Sequence, residues 1–486
     1  MRSHAAKTVS FLPATAGKKR KRDKAILDAK NTPLVTVYIT NHNYGRFIDQ
    51  AIQSVLRQTL QDLELIIIDD GSTDNSAEII ERYADHEKVI TILQHHKGLN
   101  VTNNIALRAS HGKYIMRLDA DDYLDENALM VLSGFLERNP NVGLVFPDYF
   151  LVDEDGEVLE VMRRHNFSEV SLLDQPAHGA CTLIRREHLL ELRGYDESFH
   201  SQDGYDLWTR FIRHYNVQNV NLPLFYYRQH PRSLTCNEMH ILETRVRIIE
   251  KQVQCNSQPL STIAIIPVRG PSVDPESPAL RCLGGRALID WTIQTALEAK
   301  RLSAVVITTP DEELIAYVSR TYGERVFVVK RDRKLALPNT YIEDTLFHAL
   351  GEYTRQRSAP DAFVLLYIES PFRTSWHIDN AINVMELFDT DMVVAVRPDA
   401  DVFYRHSGAG LEILRKGRML RLEREELYRE VGQMRVVKRK LLETQRQLSG
   451  GKVGHAVLDQ NAALRLRSEW DWEVAELLAS KSARKA

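Results

Sequence analysis

"LELIIIDDGSTDNS", residues 63–76, is an unbroken apolar run that ends abruptly in two aspartates and a Gly-Ser turn. A run of Leu and Ile without polar alternation reads as a strand buried on both faces, the situation of a strand inside a helix-covered parallel sheet. Upstream, "LVTVYIT" (34–40) is β-branched and apolar, and a polar loop carries it into the amphipathic "RFIDQAIQSVLRQT" (46–59). Downstream follow a helix "AEIIERYADH" (77–86), a strand "VITILQH" (89–95), a helix through "LNVTNNIALRAS" (99–110) and a strand "KYIMRL" (113–118). Strand and helix alternating at this spacing predict an α/β layer with a mostly parallel sheet. Ligands in such sheets sit beyond the carboxyl ends of the strands. Thr40, Asp69, Asp70, Asp119 and Asp121 all fall at those ends.

The last strand runs into "LDADDYL" (118–124), with Asp119, Asp121 and Asp122 within four positions. Two readings compete. Aspartate is favoured at turns and helix starts, so the stretch alone reads as a solvated, Asx-rich turn. Carboxylates closely spaced at a strand end also offer hard oxygen ligands for a divalent cation.

At 486 residues the chain exceeds the size at which one hydrophobic core stops growing, which predicts two domains. A second alternation starts at "STIAIIPVRG" (261–270) and continues through "AVVITT" (304–309), "AFVLLYI" (362–368) and "DMVVAV" (391–396). The predicted division is a basic, disordered arm over 1–32, a first α/β domain over 33–236, a helix and linker over 237–260, and a second α/β domain over 261–486.

The formal net charge of −3 gives no global attraction to nucleic acid, and "GKKRKRDK" (17–24) reads as a solvated tail or a contact for acidic lipid or polysaccharide. The four cysteines, Cys181, Cys236, Cys255 and Cys282, have no C-x-x-C spacing and fit reduced thiols. No apolar run approaches the ~20 residues of a spanning helix. The expected location is the cytoplasm, extending to the inner face of the membrane, with any membrane contact peripheral.

The ordered set "VTVYITNHNYGRFIDQAIQSVLRQTLQDLELIIIDDGSTDNS", "YIMRLDADDYL" and "GYDESFHSQDGYDLWTRF" (194–211) resembles the family 2 glycosyltransferases of the GT-A fold, over roughly residues 33–235. The resemblance implies an inverting transfer from a nucleotide-sugar donor, with a UDP-sugar favoured, to a glycan or lipid-linked acceptor. It implies Mn2+ or Mg2+ on Asp121, with Asp119 at the ribose or in the metal shell. Thr40 and His42 would lie near the base, Asp70 would accept from a pyrimidine N–H, and Lys97 would neutralise diphosphate. The general base would be Asp203, with Asp206 a structural carboxylate at a helix start. Relatives often carry Tyr at His42 and Glu-Asp where this chain has Asp203-Gly204.

The second half, with "IAIIPVRGPS", "LGGRALIDWTIQTAL", "VVITTPDEEL" and "YIESPFRT", resembles the CMP-sialic acid synthetase family of cytidylyltransferases over about 261–480. It keeps Arg269 but lacks the lysine of the glycine-rich loop, and Arg465 and Arg467 align with the metal-binding aspartates. Cations in place of carboxylates repel Mg2+. The expectation is therefore an inactive cytidylyltransferase-like (nucleotidyltransferase-like) domain, with "YREVGQMRVVKRKLL" (428–442) serving a homodimer. The leading function is glycosyl transfer in surface polysaccharide or glycoconjugate synthesis; the alternatives are a bifunctional CMP-sugar synthetase and glycosyltransferase, or a non-catalytic sugar-binding scaffold.

Overall fold

The computed structural model describes residues 32–162, 179–199, 201–230, 238–254, 259–399, 404–406, 408, 410–413 and 427–483. The basic run at 17–24, Cys236, Cys255 and part of the linker lie outside the described residues. The chain forms two compact units: one holds the residues up to Pro147 with Ala180–Gly194 and Leu224–Tyr227, and the other holds the remainder.

In the first unit, β1 (Val35–Asn41), α1 (Ile48–Leu56), β2 (Leu63–Asp70), α2 (Ser76–Glu81), β3 (Val89–Gln94), α3 (Leu99–Ala109) and β4 (Tyr114–Asp119) follow one another. The strands lie in the order β3-β2-β1-β4, all parallel. β2 is buried at every residue but Glu64, as its unbroken apolar run requires. Helix α1 buries Ile48, Ala51, Ile52 and Val55, the one-face spacing of an amphipathic helix. Beyond β4 come the short β5 (Tyr123–Leu124), α4 (Ala128–Arg138) and β6 (Val142–Val152). Further along, β8 (Leu183–Arg185) pairs antiparallel with β4 and with Leu144 and Val145 of β6. The sheet is therefore mixed: parallel at its centre and antiparallel from β8 onward. After β8, α5 (Arg186–Glu191) follows directly.

In the second unit, β6 beyond Asp148 pairs with β7 (Val158–Met162). Helix α6 (Asp203–Phe211), β9 (Asn216–Arg228) and α7 (Glu238–Val253) follow. Then come β10 (Thr262–Pro267), the β11–β12 hairpin (Cys282–Leu283, Arg286–Ala287), α8 (Leu288–Glu298), β13 (Ala304–Thr309), α9 (Glu312–Tyr322), β14 (Val326–Lys330), α10 (Ile342–Thr354), β15 (Ala362–Leu366), α11 (Ser375–Phe388) and β16 (Met392–Asp399). A small β17–β18 hairpin (Tyr404–His406, Leu411–Ile413), β19 (Leu427–Lys438), α12 (Arg439–Gln445), β20 (Val453–Val457) and α13 (Glu469–Ala483) complete it. The sheet order is β14-β13-β10-β15-β19-β16-β20, with β19 antiparallel to both neighbours. The 428–442 segment thus contributes an interior strand and the start of a helix. One hydrophobic core joins Phe199, Tyr205, Ile248 and Ile249 to Ile378, Ile382 and Val436, so α6 and α7 share the core of this second sheet.

Of the described cysteines, Cys181 is buried and Cys282 exposed, and both are free thiols. No helix among the described residues is long and apolar enough to cross a membrane.

Candidate active site

The parallel register brings the strand ends level. Thr40 stands opposite Ile68 on one side and Asp119 on the other, and Asn41 stands opposite Asp69. The loops that leave β1 and β2 are then laced together. Asn41 Nδ2 donates to Asp69 Oδ1 (2.7 Å) and Ser72 Oγ (3.0 Å), the Thr73 amide donates to Asn43 Oδ1 (2.8 Å), and the Gly45 amide donates to Asp74 Oδ2 (2.8 Å).

Asp70 is buried and turned away from these loops into the 94–98 segment. Its Oδ1 accepts from the Lys97 amide (2.8 Å) and Gln94 Nε2 (2.7 Å), while its Oδ2 accepts from the Gly98 amide (2.9 Å) and faces His96 Nδ1 (3.0 Å). A carboxylate has about four acceptor directions, and the chain's own donors fill them. Asp70 therefore shapes the loop that carries the exposed Lys97. The turn between β2 and this loop needs Gly71: its φ is +78°, and a Cβ there would lie 2.7 Å from the His96 amide nitrogen. His42 is exposed, hydrogen-bonds the Asp70 carbonyl oxygen through Nδ1 (2.9 Å) and lies against the His96 ring at 4.5 Å between centroids.

At the end of β4, the Asp122 amide donates to the Asp119 carbonyl (3.1 Å), so the acidic stretch is indeed a turn. The turn is also what gathers the carboxylates. Arg117, 7% exposed, reaches both oxygens of Asp119 with Nε (2.9 Å) and Nη2 (3.1 Å). Asp121 is half-buried and Asp122 is buried. Burial, and then the charges of Asp121, Asp119 and Asp122, push the Tyr44 phenol well above its ordinary range. That ring is therefore neutral at physiological pH, and the charges of all three carboxylates act on it.

Neither Tyr44 nor Arg117 is singled out by the sequence reading. Arg117 is two positions before Asp119 on the same strand, hence on the same face, and the two-residue period is the signal for it. Tyr44 lies in an irregular loop whose path only the structure gives.

The donor chemistry fits a small, hard cation. Asp119 and Asp121 carry carboxylate oxygens, the hard donors that suit Mg2+ or Mn2+. Among the described residues, no group of three or more His, Cys, Asp or Glu gathers as a metal cage. A two-carboxylate site leaves its other positions to water and phosphate oxygens.

Asp203 belongs to the second unit and heads α6, 7% exposed. The preceding Gln202 holds a left-handed backbone (φ 58°), and its Oε1 accepts from Arg245 Nε (2.8 Å). Asp206 on the same helix is buried and paired with Arg210 (Nη2 2.7 Å, Nε 3.0 Å), with Gln252 Nε2 on α7 donating to it at 3.3 Å. Burial pushes the Asp206 pKa up despite the arginine.

Residues 36–193 match the model of Glycosyl transferase family 2. The chain is 31% identical to the chondroitin synthase of Escherichia coli over 42% of its own length and 30% of the synthase's. It is 31% identical to the hyaluronan synthase of Pasteurella multocida over 39% of its own length and 20% of that enzyme's. The chain thus spans less than a third of either synthase. Among solved structures, S. aureus TarS 1-349 in complex with UDP-GlcNAc aligns at 16% identity and a TM-score of 0.39, covering 46% of this chain and 68% of that one. Residues 36–193 are a glycosyltransferase family 2 domain.

Proposed function

We propose that the chain is an inverting, divalent-metal-dependent glycosyltransferase. It moves a sugar from a nucleotide-sugar donor, with a UDP-sugar favoured, to a hydroxyl on a glycan or lipid-linked acceptor in surface polysaccharide or glycoconjugate synthesis. The observation that carries this reading is the level set of strand ends: Thr40 opposite Asp119, with the acidic turn immediately beyond. The relatives named as chondroitin and hyaluronan synthases support a polysaccharide product.

In this reading Thr40, His42, Asp70, Lys97 and Asp119 form the donor pocket, with Asp70 acting by holding the loop that presents Lys97. Asp119 and Asp121 hold the cation, which when bound stabilises charge on the departing diphosphate. Arg117 holds Asp119 in orientation through its guanidinium. Asp203 takes the proton of the acceptor hydroxyl as its oxygen bonds to the anomeric carbon and the bond to the diphosphate oxygen breaks. The functional division runs 33–236, 237–260 and 261–486, and the last part is a cytidylyltransferase-like domain without synthetase activity that serves assembly as a homodimer.

The test is a donor screen with the purified chain and Mn2+, measuring release of UDP, GDP, dTDP and CMP. Release of none of the four, with any acceptor glycan, rejects the reading. Pyrophosphate release from CTP and a nonulosonic acid would instead support the bifunctional alternative.

A further inference from the structure

Helix α7 makes two kinds of contact. Its Ile248, Ile249 and Val253 are buried in the core of the second sheet with Ile378 and Ile382 of α11. Polar side chains of the same helix hold the segment that leads into α6. Lys251 donates to Asp196 and to Ser198 Oγ (3.0 Å), Ser201 Oγ donates to Thr244 Oγ1 (3.4 Å), and Gln252 Nε2 reaches Asp206 at 3.3 Å. Residues already ordered by core packing lose little further freedom when they bond, so α7 sets the path of residues 196–206.

Arg245 acts at the head of α6. Its Nε donates to Gln202 Oε1 (2.8 Å), and its guanidinium carbon lies 5.0 Å from the centre of the Tyr205 ring. One half-buried guanidinium thus touches the residue before Asp203 and the residue two positions after it. Gln202 has a left-handed backbone (φ 58°), which a residue with a Cβ holds only where its surroundings impose it. Its carbonyl accepts from the Asp206 amide (3.0 Å), the first bond of the helix. Among the described residues its side chain makes no cap bond to the helix and is committed to Arg245 instead.

A general base must meet the acceptor hydroxyl at hydrogen-bond distance, and a displacement of about 1 Å costs about 10²-fold in rate. The backbone of Gln202 decides where the next residue, Asp203, starts, so whatever fixes Gln202 fixes the carboxylate.

We propose that Arg245 is a positioning residue for sugar transfer: by holding Gln202 in its left-handed conformation and stacking on Tyr205, it sets the placement of the Asp203 carboxylate. This role rests on Asp203 being the base of the transfer proposed above. Through α7, the core of the second sheet then becomes part of the framework that supports proton transfer.

Two measurements on the full chain test it. Hydrogen exchange of the 201–207 backbone reads the geometry, and Arg245→Met should speed it by about tenfold or more while exchange in α11 stays unchanged. Mn2+-supported nucleotide release reads the function: kcat should fall by about 10- to 10²-fold while affinity for UDP with Mn2+ stays within about twofold. The loss in kcat should disappear when Arg245→Met is placed in Asp203→Asn, because a residue that acts through Asp203 then has nothing left to position. Gln202→Met removes the acceptor at a half-buried position, should repeat the pattern, and decides the matter if Arg245→Met fails to fold. Unchanged exchange, unchanged kcat, or a loss of equal size in the Asp203→Asn background overturns the proposal. An equal fall in UDP affinity and kcat means general disruption and overturns it as well. Full activity in Asp203→Asn alone overturns the assignment of the base and this role with it, whereas activity lost there but kept in Arg245→Met overturns this role alone.

Discussion

Thr40 on β1 and Asp119 on β4 are register partners across a parallel pair, and the next residue, Asn41, is the partner of Asp69 on β2. Three neighbouring strands therefore end at one level, and their polar termini lie along one edge of the sheet. Parallel register has this consequence wherever strands of similar length begin together, and it explains why residues nearly 80 positions apart can serve one ligand.

Removing the carboxylate charge beyond that edge is the most direct test of the metal reading. Asp121→Asn should lower Mn2+-supported nucleotide release by about 10² to 10³-fold, the cost of losing a preorganised charge stabiliser. Asp121 is half-buried in a turn, so the thermal midpoint should change little. Wild-type rates in the variant would remove Asp121 from the site.

Asp70 acts through the loop it holds, so its loss should read differently. Asp70→Ala leaves the Lys97 and Gly98 amides without their acceptor and should cost about 1–3 kcal/mol in urea unfolding. Donor KM should rise more than kcat falls, because Lys97 is displaced while the acidic turn is untouched. A fall confined to kcat would point to direct contact with the reacting atoms instead.

Much of this arrangement was legible in the chain itself. "LELIIIDD" reads as an interior strand, and "AVVITT" coincides with β13, which is buried at every residue but Ala304. The position of the acidic turn followed from the end of β4. The partners of Asp70 were not legible, since Gln94, His96, Lys97 and Gly98 lie 24 to 28 residues away and meet it only through the path of a loop. Strand direction was also hidden: β8 and β19 are antiparallel, which is set by their connections and not by their residues. Helices α6 and α7 are amphipathic, but an apolar face does not say which core it will join, and here it joins that of the second sheet.

The Asp206–Arg210 pair gives a prediction with a pH sign. Arg210→Met strands a buried carboxylate and should cost about 3 kcal/mol at pH 7. The folded pKa of Asp206 is already raised by burial, and loss of the arginine raises it further. Between the unfolded and folded pKa values the native state then binds more protons than the unfolded one, so stability rises as pH falls. Urea unfolding at pH 8 and pH 5 should show the variant's deficit shrinking at the lower pH. A deficit independent of pH would mean that the lost packing of the arginine stem dominates.

Asp203 and Asp206 lie three residues apart at the head of one helix, and the two must be told apart by function. Asp206 is committed to Arg210 and Gln252, and Asp203 is the residue proposed for proton transfer. Asp203→Asn removes the basic group while keeping size and shape, and should lower kcat by about 10² to 10⁴-fold. Donor affinity, measured by titration with UDP and Mn2+, should be nearly unchanged, because the base meets the acceptor and not the nucleotide. Asp206→Asn should instead lose stability while its folded fraction keeps most of its specific activity. An Asp203→Asn enzyme with full activity would transfer the role of base to another residue.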